Sequence, residues 1–254
     1  MIAALPMYDT APLQGPNDRL WEGIRDGLRA RGVVAPEGLT RGGDDLWRIW
    51  QAPDLVLAQA CGFPYRARLH GRVTLVGTPD YGVPGCAPGF YRSVIVARAA
   101  RQGLAAWDGA VLAYNEAMSQ SGWAAPVNLA AQMGVALVAG PQTGAHRASV
   151  LAVAEGRADI AAIDAVTWEI LAGIEPATAA LHVVDRTPPT PGLPLIAAAG
   201  ADAGAIFDAV AAAITGLAPA DRAALRLRGV VRIPAVAYLA VPDPAPPDRM
   251  GGTG

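Results

Sequence analysis

Short apolar runs of strand length alternate with segments of helical periodicity along most of the chain. Residues 2–7, 54–58 and 72–76 are typical of buried strands. Between the first two runs, apolar residues recur at helical spacing from a capping Asn17 to a stop at Gly32. Strands that alternate with helices are typical of βαβ units. The pattern therefore predicts an α/β fold with mostly parallel sheets.

A proline-rich segment divides this pattern late in the chain. Residues 187–194 contain four prolines and a glycine, which fit neither a helix nor a central strand. A chain of 254 residues exceeds what one hydrophobic core usually fills. We therefore predict two lobes, one formed by residues 1–92 and 192–254 and the other inserted as residues 93–191. The cleft between two such lobes is the default ligand site, and the Pro/Gly-rich tail from residue 242 is expected to be frayed.

The basic residues exclude several classes of chemistry. All 20 are arginine, because the chain contains no lysine. This excludes the phosphate-loop lysine, the Schiff-base lysine of pyridoxal enzymes and the kinase strand lysine. The net charge of −2 provides no basic stripe for a nucleic acid. An anionic ligand must therefore be held by arginine, by neutral donors or by helix ends.

The sequence predicts neither a membrane span nor a signal peptide. Residues 117–146 contain no Asp, Glu or Arg, but serines, amides and two prolines interrupt them, so no membrane span is predicted. Residues 1–6 show no charged segment followed by an apolar one. Either a leader was removed, or the protein stays inside the cell.

The cysteines and histidines give no metal site. Cys61 and Cys86 lie in Gly/Pro-rich loops, where they form either a disulfide or two buried free thiols. His70, His146 and His182 are scattered, with no ligand spacing among them. We expect neither a metal nor a cofactor.

Polar residues follow the apolar runs of the second lobe. Asn115 and the segment 119–122 lie between a strand and a helix, where hydroxyls and the positive end of a helix dipole meet. Ordinary helix capping by Ser119 or Ser121 is the alternative. His146 begins the next helical segment and has either a ligand-binding or a structural role. Asp164 either receives a proton from the ligand or caps a helix.

A further polar cluster comes at the head of an apolar strand. Tyr91, Arg92 and Ser93 could bind an anion there, or they could be an ordinary exposed strand start. The chain shows neither a nucleophile elbow nor a dinucleotide-binding glycine pattern. The candidates hold charge or hydrogen bonds, and no nucleophile with an evident base is found, so we predict a protein that is not an enzyme.

Six segments, taken in order, resemble the phosphate, phosphite and phosphonate substrate-binding proteins of ABC transporters. They cover about residues 5–195. The matching segments are residues 5–9, 59–64, 85–93, 115–122, 144–149 and 161–164. The resemblance implies a type II periplasmic-binding fold, in which two hinge strands join two α/β lobes and the ligand lies in the cleft between them.

The resemblance also assigns roles to residues. Tyr8 and Tyr91 would line the wall of the first lobe, and His146 would donate to the ligand from the second lobe. Asp164 would receive a proton or an amine of the ligand. Gln120 stands where members with a Ser-Thr-Ser-Gly segment have a hydroxyl, so the preferred ligand stays open. The full set of implied ligand-binding residues is Tyr8, Gln59, Tyr91, Arg92, Ser93, Asn115, Ser119, Gln120, Ser121, His146 and Asp164.

The function implied is binding of a small anionic ligand for an ABC-transporter permease, by a monomer in the periplasm. Cys61 and Cys86 would suit that oxidising compartment. Two alternatives stay open. One is a cytoplasmic ligand sensor. The other is an enzyme on the same fold that uses His146 and Asp164 on a heterocyclic precursor, with Trp123 and Trp168 stacking on its ring.

Overall fold

The computed structural model of the chain describes residues 1–42 and 45–251. The strands are β1 Ile2–Ala4, β2 Leu55–Gln59, β3 Val73–Asp80, β4 Phe90–Tyr91, β5 Ser93–Ala97, β6 Ala110–Tyr114, β7 Leu137–Gln142, β8 Ile160–Asp164, β9 His182–Arg186, β10 Thr190–Pro191, β11 Leu195–Ala198 and β12 Gly229–Val231. The helices are α1 Gln14–Arg29, α2 Leu46–Trp50, α3 Gly62–Pro64, α4 Ala125–Met133, α5 His146–Ala154, α6 Ala165–Ile174, α7 Ala203–Gly216, α8 Pro219–Ala224 and α9 Ala235–Leu239. Two π-helical turns, Tyr65–Leu69 and Gln120–Ala124, adjoin α3 and α4.

The chain forms two compact units. Unit 1 contains Met1–Phe90 and Pro191–Ala240, and unit 2 contains Tyr91–Thr190 and the segment that starts at Val241. The chain passes into unit 2 after Phe90 and returns to unit 1 after Thr190. Both positions are within two residues of the lobe boundaries that the sequence predicts. The C-terminal segment differs, since we expected it in the first lobe.

Hydrogen bonds within unit 2 explain the position of the C-terminal segment. The indole Nε1 of Trp123 donates to the carbonyl of Ala245 at 3.0 Å, and Nδ2 of Asn128 donates to that of Pro242 at 2.8 Å. The amide of Ala139 donates to the carbonyl of Met250 at 3.3 Å. A proline-rich segment offers carbonyls but few N–H donors, so its place depends on donors elsewhere that no local pattern reveals.

Unit 1 contains a five-stranded sheet in the order β1-β2-β11-β3-β12. β1 and β2 are parallel, whereas β11 is antiparallel to both β2 and β3. The expectation of mostly parallel sheets is therefore wrong, and the sheet is mixed. β11 enters directly from the proline-rich connection, without a crossover helix that would reverse its direction. The carboxyl ends of β1, β2 and β3 lie at one edge of the sheet.

Helix α1 packs against α7 on this sheet through small residues. A Cβ on Gly23 would lie 3.2 Å from the Cβ of Ala213, and one on Gly27 would lie 3.3 Å from that of Ala209. Trp21 and Ile24 of the predicted helix are buried. The predicted cap is wrong, because α1 begins at Gln14 and Nδ2 of Asn17 donates to Asp9 at 2.9 Å. A preceding 3₁₀ turn displaces the start of the helix.

Unit 2 contains a second five-stranded sheet in the order β7-β6-β8-β5-β9. β6 is parallel to β7 and β8, whereas β5 is antiparallel to β8 and β9. The carboxyl ends of β6, β7 and β8 therefore meet the start of β5 at one edge. No helix in the described ranges is long and apolar enough to cross a bilayer.

Candidate functional site

The polar residues of unit 2 gather at this edge of its sheet. Asn115 directly follows β6, Asp164 ends β8, and Ser93 begins β5 opposite Asp164 in the register. The π-helical turn before α4 begins after Ser119, and α5 begins at His146. Topology thus brings five of the predicted site residues to one end of one sheet. In open α/β sheets this end binds ligands.

The two serines at the start of the π-helical turn have different roles. Oγ of Ser119 accepts from the amide of Gly122 at 3.0 Å, which is helix capping. Oγ of Ser121 instead lies 2.8 Å from Nε2 of His146. The sequence leaves open which serine caps the helix. In the structure Ser119 is the cap, and Ser121 contacts His146 instead. Gln120 between them is buried.

Histidine 146 is neutral at physiological pH. Burial lowers the pKa of its imidazole to about 4, because desolvation penalises the charged ring. The residue as a whole is partly exposed, but its Nδ1 atom is buried and has no hydrogen-bond partner within the described residues. The same is true of Oδ1 of Asn115.

The Ser121–His146 pair has one N–H or O–H group that the contact between the two residues does not use. If Nδ1 carries the proton, Nε2 accepts from the hydroxyl of Ser121, and the Nδ1–H group is unused. If Nε2 carries it, that N–H donates to Oγ of Ser121, and the hydroxyl proton is unused. Either tautomer therefore leaves a neutral donor beside the start of a helix, where the backbone dipole favours an anion.

Ser93 fixes the position of this pair. Its Oγ donates to the carbonyl of Ser121 at 2.9 Å, and its amide donates to Oγ1 of Thr187 at 2.9 Å. Ser93 is 1% exposed. Ser93 therefore holds the π-helical turn in place through its hydrogen bond to the carbonyl of Ser121.

Asp164 caps a helix in the structure. Its Oδ1 accepts from the amides of Val166 at 2.7 Å and Thr167 at 3.2 Å, at the start of α6. Of the two roles that the sequence leaves open, the structure thus shows the cap. The other role of Asp164, accepting a proton or an amine of the ligand, stays a prediction.

Tyr91 and Arg92 lie where the chain enters unit 2. Tyr91 is 3% exposed, so it is not an exposed strand start. The carbonyl of Arg92 accepts from the amide of Ala165 at 3.0 Å, which joins the start of β5 to α6. Anion binding by Arg92 stays a prediction.

Gly122 is the closest-packed position of the site. A Cβ there would lie 2.0 Å from Oδ1 of Asn115 and 3.3 Å from Cε1 of His146. Gly122→Ala is therefore expected to displace Asn115 and to destabilise unit 2 by about 1–3 kcal/mol. Urea unfolding checks the stability, with Gly173→Ala as control, because a Cβ on Gly173 meets nothing within 4 Å. Equal stability of the two variants would contradict the prediction.

Unit 1 has its own polar group at the carboxyl ends of its strands. Nε2 of Gln59, the last residue of β2, donates to the phenolic oxygen of Tyr81 at 2.8 Å. The rings of Tyr8 and Tyr81 meet edge to face, with centroids 5.0 Å apart. Tyr81 is not among the residues predicted from the sequence, although an aromatic residue directly after the strand-ending Asp80 was a usable signal.

The structure also tests the predictions for the two cysteines and for Trp123. No disulfide joins Cys61 and Cys86 in the structure, and both residues are partly exposed, so they are not two fully buried thiols either. Trp123 is completely buried, so it cannot stack on a substrate ring. Within the described ranges, no three His, Cys, Asp or Glu residues are placed to hold a metal ion.

Solved structures share this fold at low identity. PhnD1 from Prochlorococcus marinus (MIT 9301), in complex with methylphosphonate, is 16% identical over 93% of this chain and 94% of its own, with a TM-score of 0.69. XAC2383 from Xanthomonas citri, bound to chloride, is 15% identical over 93% and 92%, with a TM-score of 0.68. A binding-protein component of an ABC phosphonate transporter from Pseudomonas aeruginosa is 18% identical over 91% and 80%, with a TM-score of 0.62. The chain thus has the type II periplasmic-binding fold.

Sequence comparison identifies the family. Comparison with curated proteins gives no match. Residues 54–237 match the family described as "ABC transporter, phosphonate, periplasmic substrate-binding protein", which is more than half of the chain. This confirms the family resemblance, and five of the six sequence segments lie within the matched residues. The chain belongs to the family of periplasmic substrate-binding proteins of phosphonate ABC transporters.

Proposed function

We propose that this protein binds a small phosphorus oxyanion and delivers it to an ABC-transporter permease. The observation that carries the proposal is the partly buried, neutral Ser121–His146 pair at the start of the helix in unit 2. A neutral donor beside a helix N-terminus favours an anion without requiring a cationic side chain. This suits a chain that contains no lysine.

The unit 2 site supplies the donors for the oxyanion. One of the two donors of the Ser121–His146 pair binds a phosphoryl oxygen, and the first amides of the helix bind the others. Oδ1 of Asn115 accepts from a ligand hydroxyl, since it has no partner among the described residues. A hydroxyl is present on a singly protonated phosphonate, so the same site discriminates by protonation state.

The unit 1 residues hold the ligand from the strand ends of the other sheet. Tyr8 and Gln59 present an aromatic ring and an amide there, and Tyr81 orients both by its ring contact and hydrogen bond. We infer that Tyr8 and Gln59 contact the ligand from unit 1.

The surroundings of His146 argue against catalysis. A serine nucleophile needs a base that a third group orients, as in serine hydrolases. Nδ1 of His146 has no partner in the described ranges, and Oδ1 of Asp164 accepts from two backbone amides. The pair therefore lacks an orienting carboxylate, which supports binding without turnover.

Calorimetric titration tests the proposal. Phosphate, phosphite, methylphosphonate and 2-aminoethylphosphonate are titrated separately into the protein, and we expect reversible heat with at least one of them. His146→Ala is expected to weaken that binding about 10- to 100-fold, because a hydrogen bond to a charged group is lost. His182→Ala is the matched control, since His182 is exposed on β9. Absence of heat with all four compounds would sink the proposal.

Export and partnership need separate measurements. We expect the protein in the periplasmic fraction of its cells and a ligand-dependent association with a permease. A protein found in the cytoplasmic fraction would favour a sensor instead. Reversible binding with no product after incubation would distinguish a transporter component or a sensor from an enzyme.

A further inference from the structure

A wide groove on unit 1 carries a dense set of cationic side chains. Its volume is about 620 Å³, and Trp47 of α2 lines it together with Arg66, Arg68, His70 and Arg72 from the segment between α3 and β3. We call it the arginine groove. None of the described residues that line it is acidic. The described lining therefore presents positive charge that no carboxylate within it offsets.

The sequence around the arginine groove explains this excess of positive charge. Residues 55–79 contain three arginines and one histidine but neither Asp nor Glu. Asp45, two residues before Trp47, is absent from the described lining and caps α2 by accepting from the amide of Arg48 at 3.2 Å. The neighbouring sequence thus supplies cations to the groove without the acidic residues that would pair with them.

Two arginines of the groove differ in this respect from those of α1. Arg19 and Arg29 of α1 form ion pairs with Asp221 and Glu37, respectively. Within residues 1–42 and 45–251, neither Arg68 nor Arg72 forms an ion pair, and both are exposed. Their charges are therefore available to an anionic group from another molecule.

Aromatic rings orient two of the guanidinium groups in the groove. Cζ of Arg66 lies 4.4 Å from the centroid of the Phe63 ring, and Cζ of Arg68 lies 5.1 Å from the centroid of the Trp47 ring. Stacking restrains the side chain, so less conformational entropy is lost when the guanidinium binds a partner. Its planar set of N–H donors matches the two oxygens of a carboxylate.

The arginine groove lies away from the proposed ligand contacts of unit 1. Gln51, which also lines it, is four residues before β2, and Arg72 directly precedes β3. β2 and β3 are parallel, because β11 is antiparallel to both. The groove therefore extends towards the edge of the sheet opposite the carboxyl ends, where Gln59 lies, and a molecule bound there would not occupy the ligand contacts.

The composition of the groove favours a protein partner over a membrane or a nucleic acid. Of the described residues, none of the large exposed apolar ones lines the groove, so no side chain there would insert into a bilayer. A nucleic acid would carry its charge along a chain whose net charge is −2. A short acidic segment needs positive charge in one place alone, which the groove provides.

We propose that the arginine groove binds an acidic segment of a partner protein, whose carboxylates pair with Arg68 and Arg72. Charge complementarity and the oriented guanidinium groups carry this proposal. The site is separate from the oxyanion site of unit 2 and does not depend on the proposed function. The protein then has a second, macromolecular binding activity.

Fluorescence anisotropy with an acidic peptide tests the proposal. Fluorescein-labelled hexaglutamate is titrated with the full chain at low ionic strength, and labelled hexalysine is the control peptide. We expect hexaglutamate to bind, hexalysine not to bind, and added salt to weaken the binding, because exposed charges are screened. Replacing Arg68 and Arg72 together with glutamine is expected to weaken binding about tenfold, since two exposed charge pairs are lost.

Two further variants separate a specific site from an effect of net charge. Arg31→Gln with Arg186→Gln removes the same charge from exposed positions outside the groove and should leave binding unchanged. Arg68→Lys with Arg72→Lys keeps the charge but loses the planar donors, so we expect binding about threefold weaker than in the native protein. Arg72→Gln alone serves if the double glutamine variant does not fold.

Three results would overturn the proposal. The first is that hexaglutamate does not bind. The second is that the control pair Arg31 and Arg186 matters as much as the groove pair, or that the lysine variant binds like the native protein, because charge alone then suffices. The third is that a DNA duplex or vesicles of anionic lipid bind through Arg68 and Arg72 more tightly than the peptide. None of these measurements requires an oxyanion, so failure of the proposed function would leave this inference standing.

Discussion

Replacing Trp123 with alanine is expected to destabilise unit 2 by about 3–5 kcal/mol, because a completely buried aromatic residue leaves a large cavity. The centroid of its ring lies 4.6 Å from that of Tyr114, the last residue of β6. Its Nε1 donates to the carbonyl of Ala245 at 3.0 Å. The substitution therefore removes core packing and the hydrogen bond that holds the C-terminal segment.

Urea unfolding and hydrogen exchange measure the two contributions. Trp123→Phe is the matched variant, since it keeps most of the aromatic packing but has no N–H donor. We expect faster exchange in the segment after Val241 in both variants and a large loss of stability in the alanine variant alone. Equal losses in both would mean that the hydrogen bond, and not the packing, dominates.

The stability of the protein is expected to fall by up to about 3 kcal/mol between pH 6.5 and pH 4 through His146 alone. Burial lowers the pKa of His146 from 6.5 to about 4. Below pH 6.5 the unfolded chain binds a proton there that the folded chain does not. The stabilisation is therefore complete above pH 6.5 and is lost as the pH approaches 4.

Comparison with His146→Gln isolates this contribution from the titration of carboxylates. Free energies of unfolding are measured for both proteins from pH 7 to pH 4. The stability of the native protein relative to the variant should decline steadily as the pH falls. A constant difference across this range would show that the imidazole is not desolvated. His182→Gln, on the exposed surface of β9, should follow the native protein.

Most strands and helices were predictable because their signal is local. The run at residues 54–58 indicates a buried strand, and the helical spacing of Trp21 and Ile24 indicates a helix with one buried face; the structure confirms both. The direction of the strands was not predictable in the same way. β5 and β11 are antiparallel to their neighbours because the chain enters each from a connection between the units, and no residue pattern encodes that.

The candidate site was predictable in its members but not in their partners. Asn115, Ser121 and His146 follow from polar residues at strand ends and helix starts. The sequence did not distinguish the cap Ser119 from the histidine partner Ser121, since both serines stand at the same helix start. Tyr81 was missed because its hydrogen bond joins the residue after β3 to Gln59 at the end of β2, which is 22 residues away in the sequence.

The sequence by itself determined the α/β class, the family and the strand-end positions of the polar residues, because hydrophobic periodicity and short motifs are properties of neighbouring residues. Only the tertiary structure decided that Ser121 pairs with His146, that Asp164 caps a helix and that Trp123 is core. These outcomes depend on side-chain direction and on contacts between distant segments. Desolvation of His146 is also a tertiary property, because it arises from the surroundings and not from the residue itself.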